Sequence, residues 1–434
     1  MTVNEFFAVI GAETFGLDRS GVVNCGAGMS LENEKDGGTD DSFMLVRSDV
    51  DGRTFKKFLK NIENTGKKET FHREFNGNIF SQFENGDHYI YTYYIDSLGE
   101  ARIILDNSTD CASCEADNRS GEQTEGTALM QFSLKYGKMI PGFSCDCGML
   151  YALRLRDNSV IIIDGGEREQ ATEDACDEFM DRLYDLTGIE RGGKIRVSAY
   201  ICTHNHDDHM DFFIKLLRRE KDVLILERVM FNIPSRTLLG YCRDNPCTDE
   251  LRKRIKKYAP QAKYIKIHTG QTFKFPDAVI EILTTHEDVL PRSPRAGGGD
   301  VYRSINESTT VFSINFDDTT VIFLGDAEDV NGENLINIYG RNSLSCEYLQ
   351  CAHHLINDDR NIYSNIKARK LLIPQSRFIG DTTEVDNTRY LTDLFGEKNM
   401  FYAGDCTYVF TVVNGRETIS RYEQKGYYYD NSEF

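Results

Sequence analysis

With 434 residues, a 40% hydrophobic fraction and a formal net charge of -19, the chain reads as a globular protein longer than one hydrophobic core requires. So acidic a balance repels polyphosphate and argues against extended nucleic acid as a partner. No stretch approaches the roughly 20 apolar residues needed to span a bilayer. Met1 to Ser20 lacks the basic head and apolar core of an export signal, so a cytoplasmic setting without membrane contact is expected.

In chain order, Phe43 to Val46, Tyr89 to Ile95 and Ile103 to Leu105 read as short strands, and Thr54 to Glu63 has helical spacing. Asn76-Gly77 and Asn85-Gly86 are hairpin turn signals. This predicts a small α+β or mostly β N-terminal domain over residues 1–126, ending in a polar linker from Asp106 to Gly126. Residues 127–434 have a layered α/β texture. Strands are expected at Met149 to Leu155, Val160 to Ile163, Lys194 to Cys202 and Val223 to Phe231, with helices at Glu173 to Leu186, Met210 to Glu220 and Thr248 to Tyr258. Further strands are expected at Phe273 to Phe275, Ala278 to Leu283, Thr309 to Asn315 and Thr319 to Leu324. Tyr348 to Ala352, Lys370 to Ile373 and Thr407 to Val413 complete the strands, with helices at Val330 to Ile338 and Thr388 to Leu394.

Twelve cysteines include Cys111-x-x-Cys114 and Cys145-x-Cys147, whose loose spacing reads as reduced thiols rather than a zinc or redox pair. The histidines are more telling. Five of the nine fall in two clusters, His204/His206/His209 and His353/His354, each directly after an apolar strand. Asp326 closes a third such run. Imidazole and carboxylate are ligands for zinc, manganese or iron, so three strands ending in them point to one metal site at a shared sheet edge.

The pattern His204-x-His206-x-Asp208-His209 resembles the signature of the metallo-β-lactamase fold superfamily. Ile161-Ile162-Ile163-Asp164-Gly165-Gly166 is similar to that superfamily's first motif, Leu324-Gly325-Asp326 to its bridging-aspartate motif, and Ala352-His353-His354 to its final histidine motif. Asn306-Glu307-Ser308 before two strands, and the paired histidines, resemble the ComEC-like branch. The resemblance covers roughly residues 128–420 and implies a four-layer αββα fold.

It also implies two divalent ions, zinc first with manganese or iron as alternatives. His204 and His206 would hold one ion, Asp208 and His209 the other, with Asp326 bridging and His353, or its neighbour His354, completing the second. Asp164 would orient a ligand histidine. His354, as the uncommitted histidine, would face a developing oxyanion or leaving group, and Asp208 would orient the attacking water. A third histidine for the first ion could come only from His268, which reads as structural, or His286, the candidate. Leu355 stands where the branch has glycine.

Two adjacent ions lower the pKa of a shared water and stabilise charge on an attacked oxygen. The expected activity is metal-dependent hydrolysis of a small molecule, a phosphodiester or other phosphate-bearing compound being favoured. Gly297-Gly298-Gly299, with Arg292, Arg295 and Arg303 around it, lacks the lysine of a phosphate-binding loop and reads as a flexible loop. The alternatives are a ComEC-like nuclease and a non-catalytic metal-stabilised binding module. Oligomeric state is not legible.

Overall fold

The structure is a computed structural model in which residues 3–11, 23–26, 42–86, 88–106, 124–134, 148–168, 170–235, 238, 247–290, 302–357 and 359–423 are described. Helix α1 (Val3–Ile10) and helix α2 (Gly52–Asn64) accompany a sheet built from β1 (Val23–Gly26), β2 (Ser42–Arg47), β3 (Glu69–Phe75), β4 (Asn78–Asn85), β5 (His88–Ile95) and β6 (Glu100–Asp106). Its strand order is β1-β2-β6-β5-β4-β3, antiparallel throughout. Asn76 and Gly77 both take positive φ between β3 and β4, the conformation a two-residue hairpin loop requires. α2 starts at Asp51, whose carboxylate accepts from the Thr54 N–H at 2.6 Å. Its Phe55, Phe58 and Ile62 pack on Leu45, Ile79 and Phe83 from one face of the sheet.

The rest of the chain builds two larger sheets. The first begins with β7 (Thr127–Gln131), β8 (Tyr151–Arg154), β9 (Val160–Ile163), β10 (Ile195–Ile201), β11 (Leu224–Leu226), β12 (Arg228–Met230) and β13 (Lys263–Ile265). The second comprises β14 (Thr272–Lys274), β15 (Ala278–Thr284), β16 (Val311–Phe316), β17 (Thr319–Phe323), β18 (Leu344–Gln350), β19 (Ile366–Ile373) and β20 (Met400–Tyr402), in that order. The chain then returns to the first sheet with β21 (Cys406–Val413) and β22 (Arg416–Glu423), giving the order β13-β12-β10-β9-β8-β7-β21-β22, with β11 also on β10.

Strand periodicity sorts the side chains into layers. Ile161, Ile163, Ala199 and Ile201 face Ile280, Ile282, Phe312 and Phe323 of the second sheet, closing a core between the sheets. The alternate residues Ile162 and Tyr200 face outward, as does Val197, beyond a register shift between it and Ala199. They meet Phe179 and Leu183 of helix α3 (Glu173–Thr187), Phe212 and Phe213 of helix α4 (Asp211–Arg219), and Leu251 and Ile255 of helix α5 (Cys247–Tyr258). On the far face of the second sheet, Ile322, Leu349 and Leu371 meet helix α6 (Asp329–Tyr339), helix α7 (Arg360–Asn365) and helix α9 (Val385–Phe395), with helix α8 (Arg377–Thr382) just before α9. The result is the four-layer αββα arrangement. Among the described residues no helix is long and apolar enough to cross a membrane.

The N-terminal sheet covers part of that last face, its Phe80, Tyr91 and Tyr93 sharing a core with Leu283, Leu290 and Ile338. Buried ionic contacts reinforce the joint. Both ring nitrogens of His268 lie 3.0 Å from carboxylate oxygens, Nε2 from Asp106 and Nδ1 from Glu287. His268 is thus clamped between carboxyl groups of the two parts. Tyr91 stacks on its ring at 4.7 Å.

Three differences from the sequence expectations have physical causes. Asp106, expected to open a linker, is the buried end of β6, held by Ser42 and His268. The single strand expected from Val223 to Phe231 breaks at Glu227, whose carboxylate turns back to Arg196 at 2.9 Å, leaving β11 and β12 beside successive parts of β10. Charged β3, and β22 with its exposed side chains, form strands by pairing rather than by apolar alternation.

Candidate metal centre

Strands β9, β10, β17 and β18 pair in parallel within their sheets, so the segments after their C-terminal ends meet at one edge. There lie Asp164, the turn Thr203 to His209, Asp326, and the single 3-10 turn Ala352–Leu355. The approach is too close for side chains at two glycines. A Cβ on Gly165 would lie 2.4 Å from Phe213 Cβ, and one on Gly325, where φ is +53°, 2.9 Å from Thr203 Cβ. The side chain of Gln350 fixes the β17 exit. Its Oε1 accepts from the N–H groups of Leu324 (2.8 Å) and Gly325 (2.6 Å).

Asp164 organises the histidines. Its carboxylate accepts from the Thr203 N–H at 2.7 Å and hydroxyl at 2.8 Å, and lies 2.5 Å from Nδ1 of His209. Nδ1 of His209 therefore holds a proton and Nε2 turns inward. The Thr203 hydroxyl, already donating to Asp164, accepts from Nδ1 of His204 at 3.1 Å, which turns Nε2 of that ring inward too. Nδ1 of His354 lies 3.1 Å from the Pro374 carbonyl and 3.4 Å from the Gly148 nitrogen, which leaves Nε2 of that ring facing inward.

Metal-competent atoms thus converge. Nε2 of His209 and Nε2 of His354 are 3.1 Å apart, and lie 3.1 and 3.3 Å from Oδ1 of Asp326. That oxygen is buried. Asp208 Oδ2 joins at 3.0 Å from His354 Nε2. Asp208, His209, Asp326 and His354 form one group of metal-competent atoms, and His204, His206 and Asp326 a second, sharing Asp326. Oxygen and imidazole donors in this number suit zinc, manganese or iron, so the residues fit the implied ions.

The protonation equilibria show the same unmet need for positive charge. Burial disfavours the His209 cation, yet Asp326, Asp164 and Asp208 outweigh it and raise its pKa well above the ordinary value. His354 is raised against burial by Asp326 and Asp208. Burial pushes Asp326 up, but His209 and His354 hold it well below the usual carboxylate range. His204, by contrast, is held neutral by burial and by His209.

The structure brings together His204, His206, Asp208, His209 and Asp326 of the sequence-derived candidates, with Asp164 behind them. Of the histidine pair, where the sequence names His353 first and leaves His354 open, it places His354 foremost. His354 is the one in the inner group, while His353 stands outside it. Nε2 of His353 lies 3.9 Å from Asp326 and takes an Asn306 amide at 3.0 Å, and its side chain is 27% exposed. The exchange comes from the turn, where His353, His354 and Leu355 all have positive φ, +48°, +48° and +75°. Leucine at the third position pays in backbone strain what glycine would not.

His286 is not with the ligands. Its Nδ1 meets the Tyr302 hydroxyl at 2.9 Å and its Nε2 the Asn232 side-chain oxygen at 3.0 Å. Burial drives its pKa down to about 3, so it is a neutral structural group. Arg303 faces Glu307 and Asp329 at 3.9 and 3.6 Å rather than an open anion site. Arg292, Arg295, Gly297-Gly298-Gly299, Cys111, Cys114, Cys145 and Cys147 lie outside the described residues. Thr203 and Gln350 escape sequence reading because their types are common and only their partners give them a role.

No protein-family model and no curated protein matches the chain. Similar solved structures include the metallo-β-lactamase fold protein YhfI from Bacillus subtilis, 12% identical, covering 68% of this chain and 100% of that one at a TM-score of 0.36. Yeast PDE1 is 10% identical over 64% of this chain and 97% of its own, at 0.35. The diiron β-hydroxylase CmlA from Streptomyces venezuelae is 14% identical over 64% of this chain and 52% of its own, at 0.34.

Proposed function

We propose that the protein is a metal-dependent hydrolase with a binuclear centre, acting on a small phosphodiester or other phosphate-bearing molecule. The observation that carries this reading is the convergence of Asp326 Oδ1, His209 Nε2 and His354 Nε2 within 3.1 to 3.3 Å of one another, with Asp208 beside them. Divalent ions bound there would activate water near neutral pH and neutralise charge on a phosphoryl or carbonyl oxygen.

The chain's own groups then have distinct tasks. His204 and His206 would hold one ion and Asp208, His209 and His354 the other, with Asp326 within reach of both. Asp208 is 18% exposed at its side chain, so one of its oxygens can orient a water while the other ligates. His353 faces the edge of the cluster without belonging to it. Held by Asn306, it is placed to hydrogen-bond an oxyanion or leaving group of the substrate. This gives His353 the role that the sequence assigned to His354.

Turnover of bis-p-nitrophenyl phosphate by metal-loaded protein, abolished by chelation and restored by zinc, manganese or iron, tests the reading. Metal-replete protein inert towards esters, lactones and phosphodiesters would sink it. Salt-sensitive degradation of single-stranded DNA would instead favour a nuclease.

A further inference from the structure

Sheet edges expose unpaired N–H and C=O groups, and proteins ordinarily protect them with short strands, proline, lysine or bulges. Among the described residues, all but one of the end strands of the two central sheets follow that rule: β11, β13, β14 and β20 are three residues long. The exception is β22, eight residues from Arg416 to Glu423 without proline or lysine. Its register on β21 runs unbroken from Cys406↔Glu423 to Val413↔Arg416, with no bulge. All of its residues are exposed except Ser420, which is intermediate.

The strand's chemistry is self-complementary. Two arginines and two glutamates give it no net charge in a chain of -19. Laid antiparallel on a second copy about Ile419, it sets Ile419 against Ile419, Thr418 against Ser420, Glu417 against Arg421 and Arg416 against Tyr422. Antiparallel partners share a face of the sheet, so these contacts fall where side chains can meet. The faces are fixed by neighbours: Glu417 lies on the side of the seven-stranded sheet, 2.8 Å from Lys370, and Tyr422 on the α3 side beneath Arg182. Ile419, 39% exposed, stands opposite Phe410 of β21, and such a pairing would give it a second apolar neighbour on its open side.

We propose that β22 is a self-association edge, through which two copies pair antiparallel and join their nine-stranded sheets into one. The prediction is a protein of twice the monomer mass in light scattering and sedimentation at roughly 100 μM. Ile419→Lys puts like charges opposite one another and should weaken dimerisation about tenfold or more. Arg421→Glu and Glu417→Arg should each be monomeric alone, the first facing glutamate with glutamate and the second arginine with arginine. Mixed, they should form a heterodimer. Circular dichroism establishes that each variant is folded, and if Glu417→Arg is not, Ile419→Lys and Arg421→Glu decide the matter. A monomeric wild type, or a dimer indifferent to both of those variants, overturns the proposal; a monomer would mean that another segment or no partner occupies the edge.

Discussion

Oδ2 of Asp164 lies 2.5 Å from Nδ1 of His209, and both side chains are fully buried. This contact fixes which nitrogen of His209 faces the cluster. Asp164→Asn would remove the negative acceptor and let the ring change tautomer. The affinity for one of two ions should fall about 10- to 100-fold, with the fold retained. Competition with a chelator, following bound metal per chain, checks this.

The two adjacent histidines should separate cleanly. His354→Ala should cost one ion per chain, because it removes an inner ligand. His353→Ala should keep both ions and lower kcat by about 100-fold or more. Metal content by mass spectrometry together with steady-state kinetics distinguishes them, and equal metal loss in both would return the ligand role to His353.

His286 makes stability fall on the acid side. Its folded pKa, about 3, stands below the ordinary 6.5 because burial disfavours the charge, so the unfolded chain takes the proton more readily. The contribution is fully present above pH 6.5 and is lost as pH falls toward 3. His286→Gln should flatten that limb and cost about 1–3 kcal/mol at neutral pH through lost hydrogen bonds to Tyr302 and Asn232. Urea unfolding across that range measures both effects.

His268 ties the N-terminal sheet to the layered part of the chain. His268→Leu would leave Asp106 and Glu287 as buried carboxylates without their shared partner, at a cost of roughly 3–5 kcal/mol. Because the two parts share a core as well, unfolding should remain one transition at a lower midpoint. Calorimetry showing an early, separate transition would mean that the N-terminal sheet folds independently.

The sequence announces chemistry more readily than placement. Histidine and aspartate at the ends of apolar strands are legible because strand ends meet at a sheet edge whichever way the sheets are ordered. The choice between His353 and His354 is not legible, since it turns on three consecutive residues with positive φ, one of them a leucine. His286 looks like a ligand until Asn232 and Tyr302, 54 and 16 residues away, occupy both its nitrogens. β3 and β22 carry too many charges to announce themselves as strands. The His268 clamp joins residues 162 positions apart, a relationship that no local pattern encodes.

The central claim is that Asp326 is shared by two ions. Anomalous diffraction from crystals of zinc-loaded protein tests it most directly. The prediction is two peaks flanking the Asp326 carboxylate, one beside His204 and His206, the other beside Asp208, His209 and His354. A single peak that leaves either group unengaged, or peaks away from Asp326, would contradict it.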